Sequence, residues 1–154
     1  MASSNSDFLA QLLMLGFGWF IVHRLSLSRD RDKARREMLA KASDVIDGLI
    51  DKLLESGSSY HAKERDVLEE NKIKIALKDV GNRISSLKLL CSDDDLADCR
   101  RKFIKLKQSI TSSNFEYEHV PIESYDNKIH QDISAAVVDM KFALNCLKFK
   151  QFPK

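Results

Sequence analysis

From Phe8 to Val22 the chain carries fifteen residues broken by one strongly polar side chain, Gln11, and then runs into the charged block HRLSLSRDRDKARRE. A helix that is apolar all round is unstable in water. It needs either a protein core that encloses it or a bilayer. Four outcomes are open to such a segment: a cleaved signal peptide, a core helix, an in-plane surface helix or a membrane span. A signal peptide needs a basic n-region and a small-residue cleavage site. Here MASSNSD supplies no basic side chain, and the apolar run ends in His23-Arg24-Leu25. An in-plane helix needs a polar face, which Gln11 alone does not make. A core helix would have to hide Phe8, Phe17, Trp19 and Phe20 inside a small domain.

The span is the preferred outcome. As a helix, Phe8 to Val22 covers about 22 Å, and extension to Leu27 gives about 30 Å, the thickness of the hydrocarbon layer. That extension includes Arg24, whose guanidinium can snorkel to the headgroups. Trp19 and Phe20 lie near the same end, where interfacial aromatic residues are favoured. The lipid-facing residues expected are Phe8, Leu12, Leu13, Leu15, Phe17, Trp19, Phe20 and Ile21. Gln11 and Gly18, seven residues apart, share one helix face and mark a possible self-association contact. The basic residues Arg24, Arg29, Arg31, Arg35 and Arg36 follow the run, whereas only Asp7 and the α-amino group precede it. The positive-inside rule therefore places the basic side in the cytoplasm and the N-terminus outside, in a bacterial inner membrane. The junction HRLSLSRDRDKARRE behind an apolar run resembles that of small bacterial single-pass membrane proteins. The resemblance covers about the first 40 residues and implies no activity.

The rest of the chain reads as helical. Gly and Pro number only 5 and 2 in 154 residues, and few breakers favour long helices. The block Ser28–Glu37 continues the span as a stalk, or Ser28 caps a new helix after a bend. Met38, Ala42, Val45, Leu49 and Leu53 then form one stripe, with Leu39, Ile46 and Ile50 beside it. The motif Ser56-Gly57-Ser58-Ser59 is expected to end this helix. A second helix from about His61 to Leu90 carries Ile73, Leu77, Val80, Ile84, Leu87 and Cys91 at steps of four and three. Ser92 before three aspartates is a helix start. From there Leu96, Cys99, Phe103, Leu106 and Ile110 repeat to about Ser112. A fourth helix spans about Asp126 to Phe149, with Ile129, Ile133, Ala136 or Val137, Met140, Leu144 and Leu147 inward. Each helix has one apolar face, so an antiparallel bundle of about four helices is the economical solution. The segment Ser113–Tyr125 is expected to be an irregular loop lying over it.

The expected organisation is therefore all-α. A short extracytoplasmic tail (1–7) leads into a transmembrane helix (8–27) and a charged stalk (28–37). A cytoplasmic bundle (38–149) and a basic tail (150–154) follow.

No reaction chemistry is visible. Glu116-Tyr117-Glu118-His119 has the Glu-x-x-His spacing of a di-iron ligand pair, but once, and that site needs it twice. No Gly-rich phosphate loop, GxSxG or CxxC occurs. Cys91, Cys99 and Cys146 read as reduced thiols, with a Cys91–Cys99 bridge as the alternative. A net charge of +2 does not suit a nucleic-acid polycation, and the basic run Arg100–Lys107 reads as a solvated face. The tail LKFKQFPK reads as a frayed end or a contact with anionic lipid. No cofactor, metal or small-molecule substrate is expected, and no enzyme. The expected partners are the bilayer and either a second copy or another protein, through spare apolar positions Leu39, Ile46 and Ile50. The main function expected is a membrane-tethered interaction or assembly module. The alternatives are a membrane-active effector, a toxin or defence protein working through oligomerised spans, and a soluble bundle with a buried N-terminal helix.

Overall fold

The computed structural model describes residues 3–111, 115–117 and 128–150, without the side chains of residues 3–13, 15 and 16. Four α-helices account for nearly all of it: α1 (Ser3–His61), α2 (Val67–Ser86), α3 (Asp93–Ile110) and α4 (Lys128–Lys150). A 3-10 turn, Leu87–Leu89, follows α2. There is no strand among the described residues. The chain divides into two compact units, Met1–Glu37 and Met38–Lys154.

The first unit is helical from Ser3 onward. Ser28 does not start a new helix. With no glycine or proline between Ser26 and Glu37, nothing in the charged block breaks the backbone ladder.

The second unit is the bundle, and its ion pairs give the helix directions. Lys141 on α4 binds Asp51 (2.7 Å) and Asp47 (3.4 Å) of α1, while Lys148 binds Asp44 (2.6 Å). Advancing along α4 thus means retreating along α1, so the two are antiparallel. The same holds for α3 and α4, where Lys102 meets Asp139 (2.6 Å) and Lys150 meets Asp95 (3.7 Å). Short connections reverse the chain between α1 and α2 and between α2 and α3. The result is a four-helix up-down bundle. Its basic run is largely paired: Arg100 binds Asp93 (2.8 Å) and Arg101 binds Asp98 (2.6 Å).

The inward stripes expected on α2, α3 and α4 are the ones that pack. Ile73, Leu77, Val80, Ile84, Leu87 and Cys91 are all buried, as are Leu96, Cys99, Leu106, Ile110, Ile133, Met140, Leu144 and Leu147. On α1 the expectation needs correction. Leu39, Ile46 and Ile50 are not a spare partner surface but core, at 2%, 0% and 0% exposure. Met38 and Val45, expected inward, face solvent. The buried seam is Leu39, Ser43, Ile46, Ile50, Leu53, Gly57 and Tyr60, stepping by four and three throughout. A serine and a glycine occupy two of its positions, so it does not read as apolar. The neighbouring stripe, one residue or about 100° away, looks at least as hydrophobic. Ser43 is fully buried, and its Oγ has no hydrogen-bond partner among the described residues. Ser43→Ala is therefore expected to raise the unfolding free energy by about 1 kcal/mol, because an unpaired hydroxyl leaves the core and alanine is the better helix former. A urea melt followed by far-UV circular dichroism would read this as a higher midpoint.

Two helix ends also differ from expectation. Gly57 does not stop α1. It is a buried position of the seam, and a Cβ there would meet Ile110 at 3.4 Å, an ordinary van der Waals contact. The helix runs on to His61 and carries Tyr60 and His61 into the interior. There His61 Nε2 lies 2.9 Å from the Ile110 carbonyl oxygen. The second helix starts six residues later than expected. Asp66 is its N-cap, accepting hydrogen bonds from the Leu68 and Glu69 amides at 2.8 and 3.4 Å. Ser92 caps α3 as expected, accepting from the Asp95 amide at 3.2 Å and donating its hydroxyl to the Asp95 carboxylate at 2.7 Å. All three cysteines are free thiols, so the Cys91–Cys99 bridge is not formed. Cys91 instead donates to the Leu87 carbonyl (3.0 Å), and burial pushes the Cys99 thiol up to about 11. Of the expected covering loop, only residues 115–117 are described. Phe115 is buried there, its ring 5.0 Å from that of Tyr60.

Candidate functional site

The first unit presents the most unusual surface of the chain. Met14, Phe17, Trp19, Phe20, Ile21, Val22, Leu25 and Leu27 are all exposed, with Phe17 at 70%, Trp19 at 68% and Phe20 at 54%. Two ring contacts organise the end of this run. The Trp19 and His23 rings stack with centroids 5.2 Å apart and planes within 2°, as the i, i+4 spacing on a helix allows. One residue further on, the Arg24 guanidinium lies over the Phe20 ring at 5.5 Å, a cation–π geometry. Arg24 thus covers apolar surface with its stem while its charge stays at the helix surface. Arg29, Arg31, Lys33 and Arg35 follow, all exposed, and Arg36 donates from Nε to the Asp32 carbonyl at 3.2 Å. The described part of the unit is an aromatic end of an apolar run closed by a basic collar.

Among the described residues no helix is long and apolar enough to cross a membrane. The stretch from Phe17 onward contains His23, Arg24, Ser26 and Ser28, which lower its apolarity. The side chains of Phe8, Gln11, Leu12, Leu13 and Leu15 lie outside the described residues. Of the expected self-association face shared by Gln11 and Gly18, only Gly18 is described, and a Cβ on it would meet open space.

Within the bundle, the chemistry-bearing groups cluster around the turn between α1 and α2. Glu70 is buried. Its Oε1 accepts from the Tyr60 hydroxyl (2.9 Å) and from Arg65 Nε (2.7 Å), and its Oε2 accepts from an Arg65 terminal nitrogen at 3.4 Å. The Arg65 hydrogen bond is the main cause that holds the Glu70 carboxyl below its ordinary range. Burial, with the bond to Glu70 second, pushes the Tyr60 phenol up. A carboxylate stabilised in this way is a poor base, and every group in the cluster has its partner in the fold. The cluster is a staple between helices. Sequence reasoning missed it, because Arg65 and Glu70 are five residues apart and the helix between them starts only at Val67.

No group of His, Cys, Asp and Glu fit to hold a metal ion occurs among the described residues. Of the Glu-x-x-His match, Glu116 is described and pairs with Lys74, while Glu118 and His119 lie outside the described residues. A second feature that sequence reasoning passed over is an open cleft between α2 and α3, lined by Lys74, Lys78, Lys107 and Phe103. Its signal in the sequence was slight: two lysines at i, i+4 on one helix and a third on the next. Compared with protein-family models, curated proteins and solved structures, the chain finds no match.

Proposed function

We propose that the chain is a single-pass, membrane-anchored protein without catalytic activity, whose helical bundle is held at the inner face of the membrane as an interaction or assembly module. The span runs from Phe8 to Leu27, the N-terminus is outside and the bundle is cytoplasmic. One observation carries the proposal. Phe17, Trp19, Phe20 and Ile21 stand exposed beside a basic collar. Covering each of these side chains is worth about 1.5–3 kcal/mol, and an enclosed core helix would already have them buried. Trp19, Phe20 and Arg24 have the chemistry of an interfacial end, and Arg24 to Arg36 fixes the orientation. The residues that complete the apolar length, Phe8 to Leu13 and Leu15, enter from the sequence. Tethering confines the bundle to a surface and so raises its effective concentration for a second copy or another membrane-bound protein.

Membrane fractionation tests the anchor. The full chain is expected in the membrane pellet after washing with alkaline carbonate. The variant Phe17→Arg/Ile21→Arg is expected in the soluble fraction, since each arginine within a span costs about 2.5–3.5 kcal/mol of insertion. Release of the unsubstituted chain by carbonate or high salt would show that it is not integral. Chemical crosslinking of the membrane fraction then reports whether the tethered bundle pairs with a second copy.

A further inference from the structure

We propose that the cleft between α2 and α3 is a binding site for a small aromatic anion, a carboxylate or phosphate carried on a flat ring. This site is independent of the anchor. The cleft has a volume of about 680 Å³, within the range of about 300–1,000 Å³ typical of small-molecule sites. Its floor is apolar and partly aromatic: Leu77 and Phe115 are buried, and Phe103 is half-buried. Its walls are cationic. Lys74 and Lys78 come from α2 and Lys107 from α3, against one carboxylate, Glu116.

The charges are not all consumed by the fold. Glu116 pairs with Lys74, which also lies 5.9 Å from the centre of the Phe115 ring. Among the described residues neither Lys78 nor Lys107 has a carboxylate within ion-pairing distance. Asn82 and Thr111 add polar groups at the same wall. Thr111 already donates its hydroxyl to the Lys107 carbonyl at 2.9 Å, so the anion's donors are the two lysines. An anionic group between Lys78 and Lys107 would make charge-assisted hydrogen bonds, while a flat ring would lie on the Phe103 side.

The floor is built by two local departures from ordinary helix and loop rules. Gly81 sits in the interior of α2, where glycine costs about 1 kcal/mol relative to alanine. A Cβ at that position would stand 3.1 Å from Phe103 Cε1. The glycine is thus what lets the ring lie against the α2 backbone. Glu116 holds a left-handed backbone with φ of 75°, a strained conformation for a residue with a side chain. That conformation follows directly on the buried Phe115 and places the one carboxylate opposite Lys74.

The test is isothermal titration calorimetry on the full chain in mild detergent, with 2-naphthoate, adenosine monophosphate, neutral 2-naphthol and inorganic phosphate as separate probes. Saturable binding of either aromatic anion is expected, with 2-naphthol and phosphate each much weaker. Lys78→Glu/Lys107→Glu is expected to weaken the aromatic anion by about ten- to hundred-fold. The milder Lys78→Gln/Lys107→Gln should do so with a circular dichroism spectrum unchanged from the parent. Lys88→Glu/Lys105→Glu, which reverses two lysines outside the cleft, should leave binding intact. The naphthoate and nucleotide arms separate a carboxylate from a phosphate source. The proposal fails if neither aromatic anion binds at millimolar concentration, if phosphate binds as well as they do, or if both cleft double variants bind like the parent.

Discussion

Ile46→Ala is expected to lower the unfolding free energy by about 3–4 kcal/mol, while Val45→Ala, one residue away, should change it by less than about 0.5 kcal/mol. The two side chains are of similar size and sit on the same turn of α1. Ile46 is fully buried in the seam that includes Leu39, Ile50 and Leu53, whereas Val45 is 48% exposed. Truncating Ile46 removes its transfer free energy and leaves a cavity that the surrounding bundle fills only in part. Truncating Val45 opens no cavity, and the exchange to alanine gains a little helix propensity. Chemical denaturation of both variants, followed by far-UV circular dichroism, decides the matter. Equal losses, or a larger one at Val45, would mean that α1 is rotated about its axis relative to the arrangement described above.

Removing the Glu70 carboxylate is expected to cost about 3 kcal/mol, measured as a lower denaturation midpoint for Glu70→Ala. The substitution strands the Tyr60 hydroxyl, whose acceptor at 2.9 Å is lost, and breaks the link to Arg65. Glu70→Gln keeps the shape but loses the charge, so it should fall between the two. The pH dependence has a defined sign. Arg65 holds the folded-state carboxyl below its ordinary range, so above that range the unfolded chain gains nothing by protonation. As pH falls through the ordinary glutamate range of about 4.3, the unfolded state takes up a proton first. The Glu70 contribution therefore declines and is gone below the depressed folded value. Parent and Glu70→Gln stabilities should converge as pH drops from 6 toward 3. A constant gap across that window would show that the carboxylate is not preferentially charged in the fold.

Some elements were legible because their signal is local. Ser92 with the aspartates behind it starts α3 through a hydrogen bond to an amide three residues on. The steps Ile73, Leu77, Val80 and Ile84, continued past the helix by Leu87 and Cys91, carry an apolar residue at every position, so only one face of α2 could turn inward. The run from Phe8 and the arginines after it announced an apolar segment with a basic collar, and its described part is exposed as such.

The remainder depended on groups far apart in the chain. On α1 two apolar stripes compete, and α2, α3 and α4 choose between them. The chosen one holds Ser43 and Gly57, the latter packed against Ile110. Gly57 looked like a helix stop and Gly81 like a weak point. Gly57 instead packs against Ile110 inside the continuing helix, and Gly81 is a site of close approach to Phe103, which no local pattern can show. Tyr60, Arg65 and Glu70 meet only because the turn after His61 folds α2 back on α1. Lys78 and Lys107 share a wall only because α2 and α3 are neighbours. The sequence by itself determined the helices, most inward faces and the apolar, basic N-terminal unit, because periodicity, capping and charge act over a few residues. The tertiary structure alone decided the rotation of α1, the polar staple and the cationic cleft, because packing and ion pairing act between residues that the chain separates.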